Sequence, residues 1–284
     1  MLSALLPVRS VFAIAELEQN STHKYQRIST KDGLSQIFVF DIEQDEDGFI
    51  WIATQDGLNR YDGQEFRYYR HNPSDKTSIA DNFTRNLFID HTGQLWIGTA
   101  NGLSRYIKEH DSFENYSHNE KDNNSLADNV IWNITEDKSS NLIVTTKLGL
   151  HRYLKEENNF SKKTIRNLDT NLVEIKTVFQ DDNSNFWIGG YDSGIYIVNS
   201  SLTRAVALSE NNNWNLDITA NALYEMKVIG NNYWLATDNG AYVLSKDYVL
   251  KKHYLFDNSD GSPDNVVRRI ELSSTGELWV ATDN

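Results

Sequence analysis

The sequence has 284 residues and a formal net charge of -13, from 27 Lys and Arg against 40 Asp and Glu. That field repels phosphate backbones and anionic lipid surfaces, which argues against nucleic acid as a partner. The lack of cysteine excludes disulfides, thiolate metal sites and thiol catalysis. Aromatic residues make up 12%, proline numbers only 3, and Asn and Asp crowd between apolar runs, so the composition favours an all-β fold of strands joined by tight turns.

Residues 1–15, MLSALLPVRSVFAIA, are apolar apart from Arg9 and end in Ala13-Ile14-Ala15, the small-x-small pattern of a signal-peptidase site before Glu16. They read as a signal peptide that would place the mature chain in the periplasm or another extracytoplasmic compartment; an N-terminal strand is the alternative. No later run approaches the ~18 apolar residues of a membrane span. His23-Lys-Tyr-Gln-Arg-Ile28 reads as an orphan outer strand whose own sheet is missing upstream.

From there a repeat takes over. Trp51-Ile-Ala-Thr, Trp96-Ile-Gly-Thr, Ile143-Val-Thr-Thr, Trp187-Ile-Gly-Gly, Trp234-Leu-Ala-Thr and Trp279-Val-Ala-Thr are separated by 45, 47, 44, 47 and 45 residues. Each is preceded by an alternating segment and a Gly- or Asn-bearing turn, such as Val39-Phe-Asp-Ile and then Asp45-Glu-Asp-Gly48, which makes a hairpin. A third strand follows, as Gly57-Leu-Asn-Arg-Tyr61, Gly102-Leu-Ser-Arg-Tyr106 and Gly149-Leu-His-Arg-Tyr153, and then a more polar fourth, as Phe66-Arg-Tyr-Tyr69. Four antiparallel strands per ~45 residues is the arithmetic of a β-propeller blade.

In chain order the blades fall near 37–70, 82–117, 129–164, 173–206 and 219–256, with a partial blade at 265–284. Five blades and half of another cannot close a ring, so the expectation is an incomplete β-propeller, about five and a half blades of a seven-bladed ring, within a longer natural protein. A pair of β-sandwiches is the alternative architecture, although it would not require so regular a period.

The pattern Asp-x-x-Gly-x-Leu/Ile-Trp-Ile-Gly/Ala-Thr-x-x-Gly-Leu-x-Arg-Tyr resembles the repeat of two-component regulator propellers. Asp45 to Tyr61 and Asp90 to Tyr106 carry it nearly throughout, as do the connectors Ser78-Ile-Ala-Asp-Asn82 and Ser125-Leu-Ala-Asp-Asn129. The resemblance departs at Ile143, and the fourth and fifth blades lack the Arg-Tyr pair. It implies the extracytoplasmic sensor region of a receptor whose output is a histidine kinase or a diguanylate cyclase, anchored through a C-terminal membrane segment outside this sequence and pairing as a homodimer.

Candidate sites follow from residue type. The tryptophans Trp51, Trp96, Trp187, Trp234 and Trp279 recur at one place in each blade, as inter-blade packing would require. Trp132 and Trp214 fall outside that series, and Trp214, in Asn211-Asn-Asn-Trp-Asn215, is the better ligand candidate. Arg60, Arg105 and Arg152 read as ion-pair partners of the turn aspartates. Asp45, Asp47 and Gly48 only echo a calcium loop, since Phe49-Ile50-Trp51 supplies no further oxygen. No metal site, cofactor or catalytic residue is expected: the seven histidines lack ligand spacing, and hydrolase, zincin and phosphate-loop motifs are absent.

Recognition is expected where loops between second and third strands meet those leading into first strands. Those loops carry Asp56, Asn101, Lys147, Asp192 and Asp238, together with Asn82, Asn129 and Asn265. The function expected is a non-enzymatic sensor for a small molecule such as an oligosaccharide. The alternatives are a secreted propeller enzyme acting on polysaccharide, a lyase or glycosidase, and a protein-protein scaffold.

Overall fold

The computed structural model describes residues 8–10, 27–168, 175–190, 194–210, 216, 218–256, 265–273 and 276–283. Apart from two single-turn 3-10 helices the described elements are strands, and no described helix is long and apolar enough to cross a membrane. Strand β1 (Val8–Ser10) is followed by the first blade, β2 (Val39–Gln44), β3 (Ile50–Thr54), β4 (Gly57–Tyr61) and β5 (Phe66–Tyr69). The second is β6 (Thr84–Ile89), β7 (Leu95–Thr99), β8 (Gly102–Ile107) and β9 (Ser112–Tyr116), and the third β10 (Ile131–Glu136), β11 (Leu142–Thr146), β12 (Gly149–Leu154) and β13 (Asn159–Lys163).

The fourth blade is β14 (Thr177–Gln180), β15 (Phe186–Gly189), β16 (Ile195–Val198) and β17 (Ala205–Ala207). The fifth is β18 (Leu223–Ile229), β19 (Asn232–Thr237), β20 (Gly240–Ser245) and β21 (Leu250–Tyr254). The last sheet holds β22 (Val267–Leu272) and β23 (Leu278–Thr282), with β1 added in parallel beside β23 where a third strand would otherwise lie. Each four-stranded sheet is a consecutive antiparallel meander, as the all-β reading requires. Of the expected orphan strand, Arg27 and Ile28 are irregular and the rest lies outside the described residues.

The chain divides into two compact units: residues 26–164 with 173–175 hold the first three blades, and residues 1–25, 165–172 and 176–284 hold the others. In each unit the hydrophobic core lies between neighbouring blades. Trp51, Leu58 and Tyr69 meet Ile79, Leu87, Ile97, Tyr106 and Phe113 of the next blade. Trp96 and Leu103 meet Leu126, Ile134, Val144, Tyr153 and Phe160 in the same way. Trp187 and Trp234 anchor the corresponding clusters of the other unit. Trp51, Trp96, Trp187 and Trp234 are therefore packing residues, worth roughly 3–5 kcal/mol each against truncation.

The motif's other positions are explained by the same assembly. In blades one, two and four the turn aspartate folds the hairpin and then holds the indole. Asp45, for instance, accepts the Asp47 and Phe49 amides on Oδ1 (3.1 and 2.9 Å) and Trp51 Nε1 on Oδ2 (2.7 Å). Asp90 and Asp181 accept Trp96 and Trp187 at 2.9 and 2.8 Å. The small residue two beyond the tryptophan makes room for the next first strand: a Cβ on Gly98 would lie 2.8 Å from Ile131, and one on Gly189 2.6 Å from Leu223.

Every first strand except β14 carries a bulge just after its first residue, between Val39 and Asp41, Thr84 and Asn86, Ile131 and Asn133, Leu223 and Glu225, and Val267 and Arg269. A bulge breaks the in-out alternation and re-aims the extra side chain.

Candidate functional site

Glycines at or just before the start of the third strand join the two sets of loops at one end of blades one, two, four and five. The amides of Gly57, Gly102, Gly194 and Gly240 donate to the carbonyls of Asn82, Asn129, Asn221 and Asn265, all at 2.7–2.8 Å. Glycine is needed there because φ is positive, 126° at Gly102, and an added Cβ would sit 2.9 Å from the Tyr116 carbonyl oxygen. The threonine closing β3, β7, β11 and β19 tightens the same turn, as Thr99 Oγ1 donates to the Gly102 carbonyl (2.7 Å) and accepts from the Asn101 amide (3.1 Å).

These bonds show what the expected ligand residues do. Asn82 and Asn129 Oδ1 accept the amides of His71 and His118 (2.7 and 2.6 Å), and Asn265 Oδ1 accepts that of Phe256 (3.0 Å), so all three latch a fourth strand to the following connector. Asp56 forms a two-point pair with Arg70 (3.2 and 2.9 Å), and Asn101 accepts from Asn129 Nδ2 (3.0 Å). Asp238 Oδ1 takes the amides of Asn221 and Ala222, both at 2.9 Å. Lys147 is exposed and makes no side-chain hydrogen bond or ion pair among the described residues. Asp192 and Trp214 lie outside the described residues.

The same loop end holds side chains that the repeat hides. The bulged residues are Phe40, Arg85 and Trp132 in the first three blades, and Tyr224 and Arg268 in the fifth and sixth. The Arg85 guanidinium lies over both Phe83 (4.4 Å) and Trp132 (4.6 Å), and Phe40 packs on Phe83 with centroids 4.9 Å apart. A ladder of ring, ring, guanidinium and indole, exposed at Phe40 and half-buried from Phe83 to Trp132, thus crosses three blades. The bulges have no signature in a single repeat, and only a stacking of all the first strands marks position 40, 85, 132, 224 and 268 as a class.

At the opposite end, two acidic clefts lie between blades of the first unit. One of about 230 Å³ is lined by Asp45, Asp47, Arg60, Tyr106 and Lys108, and one of about 460 Å³ by Asp90, His91, Arg105, Glu136 and Glu157. Asp90, His91 and Glu136 bring ligand atoms within 4.8 Å of one another. The geometry favours cross-linking of the two turns over metal binding. His91 Nδ1 and its amide reach Glu136 at 2.8 and 3.0 Å, while Thr92, Gln94 and Trp96 supply four donors to Asp90. Burial works against ionised Asp90, but those bonds hold its carboxyl below the usual range.

The repeated arginines depart from expectation. Arg152 pairs with the turn aspartate Asp137 (2.9 Å), but Arg60 reaches Tyr106 Oη and Asp111 (3.2 and 3.8 Å), and Arg105 pairs with Glu114. In blades one and two the indole already occupies the aspartate; in blade three Ile143 leaves it open to the arginine. Sequence reasoning also passed over the residue between Leu and Arg. Asn59 Oδ1, Ser104 Oγ and His151 Nε2 accept the amides of Ser35, Ala80 and Ala127 at 3.0, 3.0 and 2.9 Å. Each sits on a third strand, fully buried, and anchors a loop running into or out of its blade. Burial pushes the His151 imidazole down to about 4, so it is neutral and its Nδ1 carries the proton.

Residues 33–56 match the family described as two component regulator propeller. Over 71 residues, a quarter of the chain, it is 49% identical to histidine kinase P4 of Formosa agariphila, of which that stretch is 5%. It is similar in structure to the extracellular domain of the hybrid two component system BT3049 of B. thetaiotaomicron. There the TM-score is 0.65 at 23% identity, over 90% of this chain and 40% of that one. The extracellular domain of the one component system BT4673 of the same organism gives 0.58 at 20% identity, over 88% and 38%. The chain thus spans well under half of either domain. Its four-stranded blades and inter-blade cores give it the fold of an incomplete β-propeller, and residues 33–56 are similar to the two component regulator propeller repeat.

Proposed function

We propose that this chain is the extracytoplasmic sensor part of a transmembrane signalling receptor of the two-component type, and that it recognises a small molecule without catalysing its turnover. The observation that carries the reading is the two-component regulator propeller match at residues 33–56, in a chain that is also 49% identical over 71 residues to a histidine kinase. The acidic, cysteine-free composition accords with it. The residues shared between blades are spent on turns and inter-blade contacts, whereas the bulged residues change from blade to blade, which suits a surface adapted to a ligand.

The reading frame beyond residue 284 tests the receptor: further blades, a ~20-residue apolar span and a kinase or cyclase domain support it, and a stop codon after one more blade refutes it. Recognition is tested by thermal-shift screening of the complete propeller against oligosaccharides and other nutrients, because a ligand that binds only the folded state raises its stability. A shift that saturates with concentration supports a sensor. Turnover of the same compound would make it an enzyme.

A further inference from the structure

Two inter-blade joints of the first unit are near copies, and they differ in the group that receives their tyrosine hydroxyls. Between blades one and two, Trp51 packs on Tyr69 and Tyr106 with ring centroids 5.6 and 4.9 Å away, and the two phenol rings are 6.1 Å apart. Between blades two and three, Trp96 packs on Tyr116 and Tyr153 at 6.0 and 5.1 Å, and those rings are 6.0 Å apart. In each joint both hydroxyls donate to a single oxygen at 2.6 Å, on a residue held at a φ of 50°. In the first joint that oxygen belongs to the Asp111 carboxylate. In the second it belongs to the Asn158 amide, whose nitrogen donates to Glu114 (2.8 Å). An aspartate carboxyl is ionised at neutral pH and takes a proton readily, whereas an amide oxygen accepts hydrogen bonds but is a far weaker base.

From this difference we infer that the joint between blades one and two is a site of one-electron oxidation, at which Tyr69 or Tyr106 gives an electron to an oxidant and its phenolic proton to Asp111. The phenol O–H bond breaks, the electron reduces the oxidant, the proton forms an O–H bond on Asp111 Oδ1, and a neutral tyrosyl radical remains. A phenol that has lost an electron is a strong acid, so the electron leaves easily only where a base stands ready for the proton. Asp111 is within reach of either hydroxyl, as a positioned base must be. Trp51 and Tyr106 line the cleft of about 230 Å³, so a metal complex or a peroxyl radical, oxidants that act without bonding to the ring, comes close to the aromatic cluster. The step also changes the joint. The radical no longer donates a hydrogen bond, and a protonated Asp111 no longer pairs ionically with Arg60 and Arg67. The site does not depend on the recognition role proposed above.

The intact chain is exposed to tris(bipyridine)ruthenium(III) generated by a laser flash, and tyrosyl radical is followed by transient absorption and electron paramagnetic resonance. A rapid phase of radical formation is expected ahead of the slower oxidation of exposed tyrosines. Asp111→Asn, which copies Asn158, is expected to slow that phase by about tenfold or more. Tyr69→Phe combined with Tyr106→Phe is expected to remove it, and Tyr116→Phe combined with Tyr153→Phe to leave it unchanged. The unaltered chain supplies a readout that no folding defect touches: in heavy water its rapid phase slows, because the proton moves with the electron. Absence of a rapid phase, its full retention in Asp111→Asn or in the Tyr69 and Tyr106 double variant, its loss in the Tyr116 and Tyr153 double variant, or an equal rate in heavy water overturns the inference.

Discussion

In blade two the turn aspartate, Asp90, ends on the indole of Trp96, whereas in blade three Asp137 ends on the guanidinium of Arg152. The two sheets otherwise share strand order, register and a bulged first strand. One exchange, tryptophan for Ile143, thus redirects two charged side chains. Arg105, denied the aspartate, turns to Glu114 and Tyr153, while Arg152 drops onto Asp137, whose side chain is only 4% exposed. A repeat motif fixes positions, but the partners are settled by which donor reaches the buried acceptor first.

The next inter-blade contact differs in charge as well. Tyr69 and Tyr106 both donate to Asp111 Oδ1 at 2.6 Å, and Arg60 and Arg67 stand beside it. One blade on, Tyr116 and Tyr153 donate to Asn158 Oδ1, again at 2.6 Å, and Asn158 in turn donates to Glu114 (2.8 Å). The negative charge has moved from the turn to the fourth strand, and the geometry is retained. Burial disfavours charge on Asp111, but the two hydroxyls and the arginines hold its carboxyl below the ordinary carboxylate range.

Substitutions that turn one region into the other test this account. Trp96→Ala is expected to cost about 4 kcal/mol in denaturant unfolding. Trp96→Ile, which copies blade three, should cost only about 2 kcal/mol, with Arg105 seen on Asp90 in a crystal structure. Equal losses would mean that the exchange of partners does not happen.

Acid distinguishes the same blades at their buried loop anchors. His151 has a folded pKa of about 4 against an ordinary 6.5, so the unfolded chain binds the extra proton. Stability from this group is complete above pH 6.5 and falls as pH drops toward 4, by about 3 kcal/mol in all. His151→Ser, the residue that blade two uses at Ser104, should remove that slope from a series of melts between pH 7 and 4.

Arg152→Ala leaves Asp137 its amide and Asn141 donors but no counter-charge, at a cost of about 2 kcal/mol by urea titration. The smallest difference lies between the tyrosines. Tyr69→Phe removes a bond to a charged acceptor and should cost about 2 kcal/mol at neutral pH, against about 1 kcal/mol for Tyr116→Phe. The Asp111 carboxyl is lowered on folding, so the extra loss at Tyr69 should be present above its unfolded pKa and vanish as pH falls through the folded one.

The fold was legible because the ~45-residue period and the tryptophan recur in step, and a core built between blades demands that recurrence. The site was less so. Asn82, Asn129, Asn265 and Asp238 look the same in sequence whether they face a ligand or cap backbone amides, and here they cap amides. His151 looked like one more scattered histidine because its role depends on an amide 24 residues away. Arg85 and Trp132 were hidden by bulges, which shift one residue out of the alternation that sequence patterns assume.

The placement of the cores between sheets has a further consequence for how the molecule comes apart. Leu87 and Ile134, on first strands covered by a preceding blade, are only 4% and 5% exposed. Cohesion is then a sum over neighbours, and loss of order should spread sheet by sheet in the manner of a one-dimensional array. Amide exchange would read this as protection that is greatest in β7 and β8, whose sheet is held on both sides.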